Sequence, residues 1–275
     1  MTLKTEVRLS GHPLSPLAGL VELWAARRLV FLFVLRDVRL RYKQTALGAV
    51  WAFLQPLLTA AVFGVVFGAW IRVPSDGIPY FPFVLVGVAV WMFFAGSVQH
   101  AAQTMQLNAS LVTKVYFPRA ALPLASVGLN ASDFIVTGTF AAIVVMLAGF
   151  GSTLHVAGLA LALLQLAALA IGASLVCASL SAYFRDFIYV VPFGLQLLLF
   201  ASPVVYPSSV MPAEMAALLV LNPLTGILGL LRWSVFDQGS VPPGAVVWSS
   251  VIALSVLCGG WLLFQRLERR IADVV

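Results

Sequence analysis

The sequence predicts an all-α polytopic membrane protein with six transmembrane helices, and three observations carry that prediction. Of 275 residues, 61% are hydrophobic and 9% are charged, with a mean hydropathy of +1.02; a soluble domain has about 25% charged residues. Charge-free stretches run over 44–71, 77–113, 134–184, 187–213 and 238–265, each longer than the ~20 residues a spanning helix needs. The cations fall in groups between those stretches, as they do in loops between spans.

The elements follow in order. Residues 1–45 form an N-terminal segment ahead of the first span. Ser15-Pro16 is a good helix start, with a capping residue and proline in the first turn. The apolar run Leu29–Leu35 is too short to cross a bilayer. With Arg27, Arg28, Arg36, Arg39 and Lys43 in headgroups and the Leu, Val and Phe side chains at the acyl boundary, 15–43 reads as an interfacial amphipathic helix. A plain anionic-lipid anchor uses the same residues.

A transmembrane domain over 46–265 follows, with spans near 47–70, 81–99, 122–148, 156–182, 187–206 and 245–264, and then a tail over 266–275. The stretch 134–184 holds two helices, because Gly149-Phe150-Gly151-Ser152-Thr153-Leu154-His155 is a turn signal at its middle. With the N-terminus inside, 14 of the 16 cations lie inside and only Arg72 and Arg232 lie outside. Lys and Arg are retained on the cytoplasmic side, so both termini are expected there.

Residues 207–240 are the irregular part. They lie outside by the charge count, yet 215–231 is apolar and uncharged. Pro212, Asn222, Pro223 and Gly226 break that run into two short helices, near 212–220 and 224–236, that dip into the membrane before the last span. Irregular backbone at that depth is tolerated only where protein or a water-filled cavity covers it. A seventh span here would move three arginines outside.

Several function classes lose support. The net charge is +6, but eight of the 16 cations precede the first span, without the aromatic interleaving of a nucleic-acid platform. Cys177 and Cys258 lie in apolar segments and read as small buried hydrophobes. Pro13, Pro16 and Glu22 interrupt any early apolar region, so no signal peptide is expected. Lysine occurs only at 4, 43 and 114, never after a glycine, which removes the phosphate-cradling loop and ATP hydrolysis by that route. His12, His100 and His155 have no metal-ligand spacing. No cofactor is expected in this chain.

One intramembrane acid stands out. Asp133 lies in the third predicted span, where an ionisable group marks function by default. Ser126, Asn130, Asp133 and Thr137 share its helix face. That face is either the polar wall of a conduit or proton site, or an interhelical contact with Asp133 paired to a hydroxyl, an amide or Arg185. The 19 Phe, 7 Trp and 6 Tyr mostly fall near span ends as interfacial belts; others are free to stack on sugars. The loop His100–Arg119 is expected to carry a short amphipathic helix ending at Pro118, either a passive connector or a lever for a soluble partner.

These positions together resemble the polysaccharide and polyol-phosphate exporter branch of the ABC-2 permeases. The resemblance rests on Arg36-Asp37-Val38-Arg39-Leu40-Arg41-Tyr42-Lys43, Leu47-Gly48, Trp51 and Gln55-Pro56. It continues through Lys114-Val115-Tyr116-Phe117-Pro118-Arg119, Arg185-Asp186-Phe187, Ser202-Pro203-Val204-Val205-Tyr206-Pro207, Asn222-Pro223 and Arg232. It covers about 30–275 and implies the type V exporter architecture.

The resemblance implies a role for each segment. Arg36 and Asp37, with Lys114, Val115, Tyr116, Phe117 and Pro118, would grip a separately encoded ATPase, present in two copies, that binds ATP and Mg. Two permease copies would form a homodimeric channel in the bacterial inner membrane, among its lipids. The permeant would be a polyprenyl-linked polysaccharide, O-antigen above capsule or teichoic acid, because the chain is compact. Arg39, Arg41, Lys43 and Arg119, with Arg36 and Lys114 beside them, would receive its pyrophosphate by charge-assisted hydrogen bonds. Tyr206, Pro207, Asn222, Pro223 and Arg232 would form an external gate or line the channel.

Two other classes compete. An ion-coupled secondary transporter of a small solute would use Asp133. An integral-membrane transferase acting on lipid-linked sugars would need acid–base pairs that this chain lacks.

Overall fold

The computed structural model describes residues 16–43, 50–151, 154–212, 219–238, 241 and 243–274. The Ser15 cap, Leu47-Gly48, Ser152-Thr153 and most of the 212–220 helix lie outside the described residues. Apolar segments of spanning length, bounded by Pro, Gly and charged residues, become helices because only a helix satisfies its own backbone within one segment. No strand occurs among the described residues.

The N-terminal segment is two helices, α1 (Pro16–Ala25) and α2 (Arg27–Tyr42), broken at Ala26. The first span is α3 (Trp51–Phe63), continued to Trp70 by a π-helical stretch over Gly64–Trp70. It turns at Arg72, Asp76 and Gly77, all in the left-handed region. Then follow α4 (Tyr80–Leu107), the short α5 (Ala109–Lys114) and α6 (Ala121–Leu147). Gly149 and Gly151 make the expected turn with φ of 84° and 88°, which glycine adopts without steric cost. The chain continues through α7 (Val156–Tyr183), α8 (Phe187–Phe200), α9 (Pro223–Phe236) and α10 (Pro243–Val274).

The contacts order the helices between two ends. At the cationic end, Gln106 of α4 donates to the Ser181 carbonyl of α7, and Tyr183 donates to the Leu267 carbonyl of α10. At the far end, Tyr80 meets the turn after α8, and the His155 amide meets the Ser234 carbonyl of α9. The chain therefore passes between the ends in α3, α4, α6, α7, α8 and α10, while α9 stays at the far end.

Five of these passes are long and apolar enough to cross a membrane. The pass through 187–206 differs from its expected form. Its helix has 14 residues, about 21 Å at 1.5 Å per residue, and the irregular segment 201–206 completes it. Proline at 203 cannot donate and disfavours helix in the residue before it.

Burial ranks the helices. Most of α4 is buried along its apolar length, whereas little of Trp51–Trp70 or Gly244–Glu268 is buried. So α4 is the central post, and the first and last passes are peripheral. α7 and α10 approach at backbone distance, because a Cβ on Gly172 would strike the Val256 backbone and one on Gly260 the Gly172 carbonyl. Small residues permit such contacts in bilayers, where no hydrophobic force joins helices. The peripheral place of α10 also corrects the cysteine expectation: Cys258 is exposed on its outer face and Cys177 is only partly buried.

Candidate functional site

The polar face expected on the third span exists, and it lines a cleft of about 630 Å³ between α3, α4 and α6. Asn130, Asp133 and Thr137 of α6 all reach it. Gln55 and Thr59 of α3 and Gln99 and His100 of α4 add polar groups; Trp51, Phe63, Trp91, Phe93 and Phe134 supply aromatic faces. The Asn130 amide nitrogen lies 3.0 Å from His100 Nδ1 and donates to the Ser126 carbonyl. Thr137 donates to the Ala52 carbonyl at 3.0 Å, joining α6 to the start of α3. Polar groups at membrane depth thus face a cavity rather than hydrocarbon.

Asp133 is paired. Its Oδ2 lies 2.7 Å from Arg41 Nη1, and its Oδ1 accepts the Tyr42 hydroxyl. Burial, and then the Asp133 carboxylate, push the Tyr42 phenol up to about 12, so it keeps its proton and donates. The partners come from α2 rather than from Arg185. α2 runs beside α6, with Phe33 edge-on to Phe117 and Val34 filling the space over Gly128. Asp133 is twelve residues past the start of α6, about 18 Å along its axis. The end of α2 is thus drawn along α6 into the cleft mouth. Its outward residues Phe31, Leu32 and Leu40 are exposed, as an acyl-facing surface requires.

The cationic candidates do not converge. Arg41 lines the cleft, while Arg39 and Lys43 are exposed outside it. Arg36 pairs with Asp37 at 2.8 Å within α2. Arg119 lies in a second cavity of about 310 Å³ with Tyr116, Phe117 and Pro118. There its backbone amide donates to Glu268 Oε1 at 2.7 Å, and its guanidinium to the Glu268 carbonyl. Tyr116 donates to Glu22 of α1 at 3.2 Å. The expected helix ending at Pro118 stops earlier, at Lys114. Beyond it Val115 and Tyr116 are exposed and Phe117 is buried, so Lys114, Val115 and Tyr116 form an accessible tip and Phe117 its anchor.

The gate candidates do converge, on the segment that ends α8. A truncated helix leaves its last carbonyls without partners, and here each finds one. The Phe200 carbonyl accepts from the Tyr206 hydroxyl, Ala201 from Asn222, and Ser202 from the Val204 amide. Pro203 and Val204 accept from Arg232 at 2.7 and 2.6 Å, and Val205 accepts from Tyr80 at 2.6 Å. The Arg232 guanidinium also lies 3.6 Å from the Phe83 ring centroid, and the residue is 7% exposed. A Cβ on Gly87 would collide with both the Val204 carbonyl and the guanidinium. Asn222 additionally caps α9, accepting from the Leu224 amide, with Pro223 in the first turn. Pro207 follows this cluster. Leu199, just before it, lines the cleft.

Residues 28–236 match the ABC-2 type transporter family, about three-quarters of the chain. The chain belongs to that family. Two relatives are each named O-antigen export system permease protein RfbA. The one from Myxococcus xanthus is 32% identical over 92% of this chain and 98% of its own length. The one from Klebsiella pneumoniae is 28% identical over 87% of this chain and 92% of its own. The cleft, the accessible tip at 114–116 and the clamped turn all belong to a membrane component of an ABC-2 transporter. The sequence reading gave Tyr42, His100 and Tyr80 no part in these sites, and Gln99 no part at all. Gln99 and His100 carried a usable signal, as adjacent polar residues inside an uncharged apolar helix.

Proposed function

We propose that this chain is the permease subunit of an ATP-driven exporter that moves lipid-linked polysaccharide, O-antigen in the first instance, across the bacterial inner membrane. The cleft carries the reading: amide and hydroxyl groups interleaved with aromatic faces suit sugars, which offer hydroxyls at their edges and apolar C–H faces. The names of the relatives support the polymer class. The cationic end is cytoplasmic in this reading, as the charge count requires. Two copies build a continuous channel in this reading.

Without a phosphate-binding loop the chain draws on two copies of a separate subunit that binds ATP and Mg. Arg36, Asp37 and the Lys114–Pro118 tip contact that subunit. Arg39, Lys43 and Arg119 offer cations to the lipid pyrophosphate on the inner leaflet, while Arg41, the other cation of that group, is engaged by Asp133. Tyr206, Pro207, Asn222, Pro223 and Arg232 form the external closure.

The test is purification from the native host in mild detergent, with mass spectrometry of bound proteins and an ATPase assay. A stoichiometric ATP-binding partner, lost when Lys114-Val115-Tyr116-Phe117 is replaced by Gly and Ser, is the expected result. A chain that purifies alone and moves solute down a proton gradient in liposomes overturns the reading.

A further inference from the structure

We propose that Asp133 is a positioning residue for export: it joins α2 to the cleft wall, so that force applied to the cytoplasmic helices arrives at the cavity mouth. The proposal rests on the exporter reading above.

The geometry is specific. Adjacent residues at the end of α2, Arg41 and Tyr42, each take one oxygen of the same carboxylate. Of the described ion pairs of α2, Arg36–Asp37 stays within the helix and Arg41–Asp133 leaves it. Two fixed donors on one acceptor define direction as well as distance. At its middle α2 is tied to the 115–120 segment through Phe33 and Phe117, and α1 is tied there through Glu22 and Tyr116. The accessible tip, α1 and α2 therefore form one assembly on the cytoplasmic side. That assembly touches the cleft at Arg41 and Tyr42, which line its mouth with Asp133, His100 and Asn130.

The pairing also argues against Asp133 as a proton carrier. Both Asp133 oxygens are held by donors fixed on α2. A carrier must instead bind and release a proton while facing each side in turn. What α2 requires of Asp133 is a fixed charge in a fixed place.

The test compares Asp133→Ala, Asp133→Asn, Arg41→Ala, Tyr42→Phe and the reversed pair Arg41→Asp/Asp133→Arg in the complete complex with its ATPase. Cell-surface polysaccharide and ATP turnover are read for each. Asp133→Ala, Asp133→Asn and Arg41→Ala should each lower export about tenfold, as for a coupling free energy in the usual range, while complex yield and ATP turnover stay near wild type. The reversed pair should recover export, and Tyr42→Phe should lose least. If Asp133→Asn exports normally, or the reversed pair recovers nothing while inserted at wild-type level, the proposal is overturned. If Asp133→Ala fails to insert, Tyr42→Phe and Arg41→Ala decide: normal export in both overturns it, and lowered export with ATP turnover retained supports it. Absence of any ATPase on the wild-type chain is a different failure and removes the exporter reading itself.

Discussion

Two arginines hold this chain together at opposite ends, and they do so by different physics. Arg41 meets a carboxylate at the mouth of the cleft, where its side chain is 35% exposed and that of Asp133 18%. Arg232 is 7% exposed and meets backbone carbonyls and a phenyl ring, with no carboxylate in ion-pair contact among the described residues. An ion pair near water gives little net stability, because solvent competes for both partners. A buried guanidinium on carbonyls has no such competitor, and removing it strands acceptors that have lost their helix. The contact at the cleft mouth suits a joint that transmits or yields, and the far contact suits a permanent clamp. Even the clamp is incomplete: both terminal nitrogens of Arg232 donate to carbonyls, but Nε has no partner among the described residues.

That contrast is open to test. The largest effect is expected from Arg232→Met, which strands the Pro203 and Val204 carbonyls and should destabilise the chain by about 3 kcal/mol or more. Thermal unfolding in detergent and membrane yield report it, and an unchanged midpoint would refute the clamp. Arg232→Lys keeps the charge but loses the fork, so it should fall between the two.

Next comes the helix contact that neither arginine touches. Gly172→Val and Gly260→Leu push side chains into backbone and should cost about 1–3 kcal/mol each. Similar stability in both variants would show that α7 and α10 separate more easily than their glycines imply.

Asn222→Ala removes the α9 cap together with the bonds to Ala201 and Ser202, and about 1 kcal/mol is expected from the cap alone. The same unfolding assay measures it, and no loss would separate α9 from the clamp.

Asp133→Ala should destabilise by less than Arg232→Met, about 1–2 kcal/mol, because the half-buried Arg41 and Tyr42 lose one acceptor but can turn to water. A loss as large as that of Arg232→Met would erase the distinction between joint and clamp.

The last effect is confined to alkaline pH. Folding raises the Tyr42 phenol from 10.0 to about 12, so the folded state binds its proton more tightly than the unfolded state. Its contribution is full below pH 10 and fades as pH rises toward about 12. Tyr42→Phe should flatten that part of the stability curve, and an identical alkaline profile would contradict the contact.

The long passes were legible because hydrophobic length and charge placement are local properties of a chain. A run without charges longer than a bilayer has one low-energy form, and the positions of Lys and Arg orient it. The turn at Gly149 and Gly151 and the Asn222-Pro223 helix start were equally local. The polar face of Asn130, Asp133 and Thr137 followed from helical spacing alone. The grouping of Tyr206, Asn222 and Arg232 came from the family resemblance rather than from spacing, and their common task did not come from either.

What the residues could not declare was choice of partner. Asp133 is 91 positions from Tyr42, and nothing in either neighbourhood prefers that pairing to Arg185; the packing of α2 along α6 selects it. Five carbonyls of the segment that ends α8 likewise take side-chain donors, among them Tyr80 from α4 and Asn222 and Arg232 from beside and within α9. A helix can stop short inside a membrane only when other elements supply those donors, and that supply exists only once the bundle is assembled. Local free energies wrote the helices into the sequence, while contacts between distant residues, whose cost is the entropy of bringing them together, were decided by the tertiary structure.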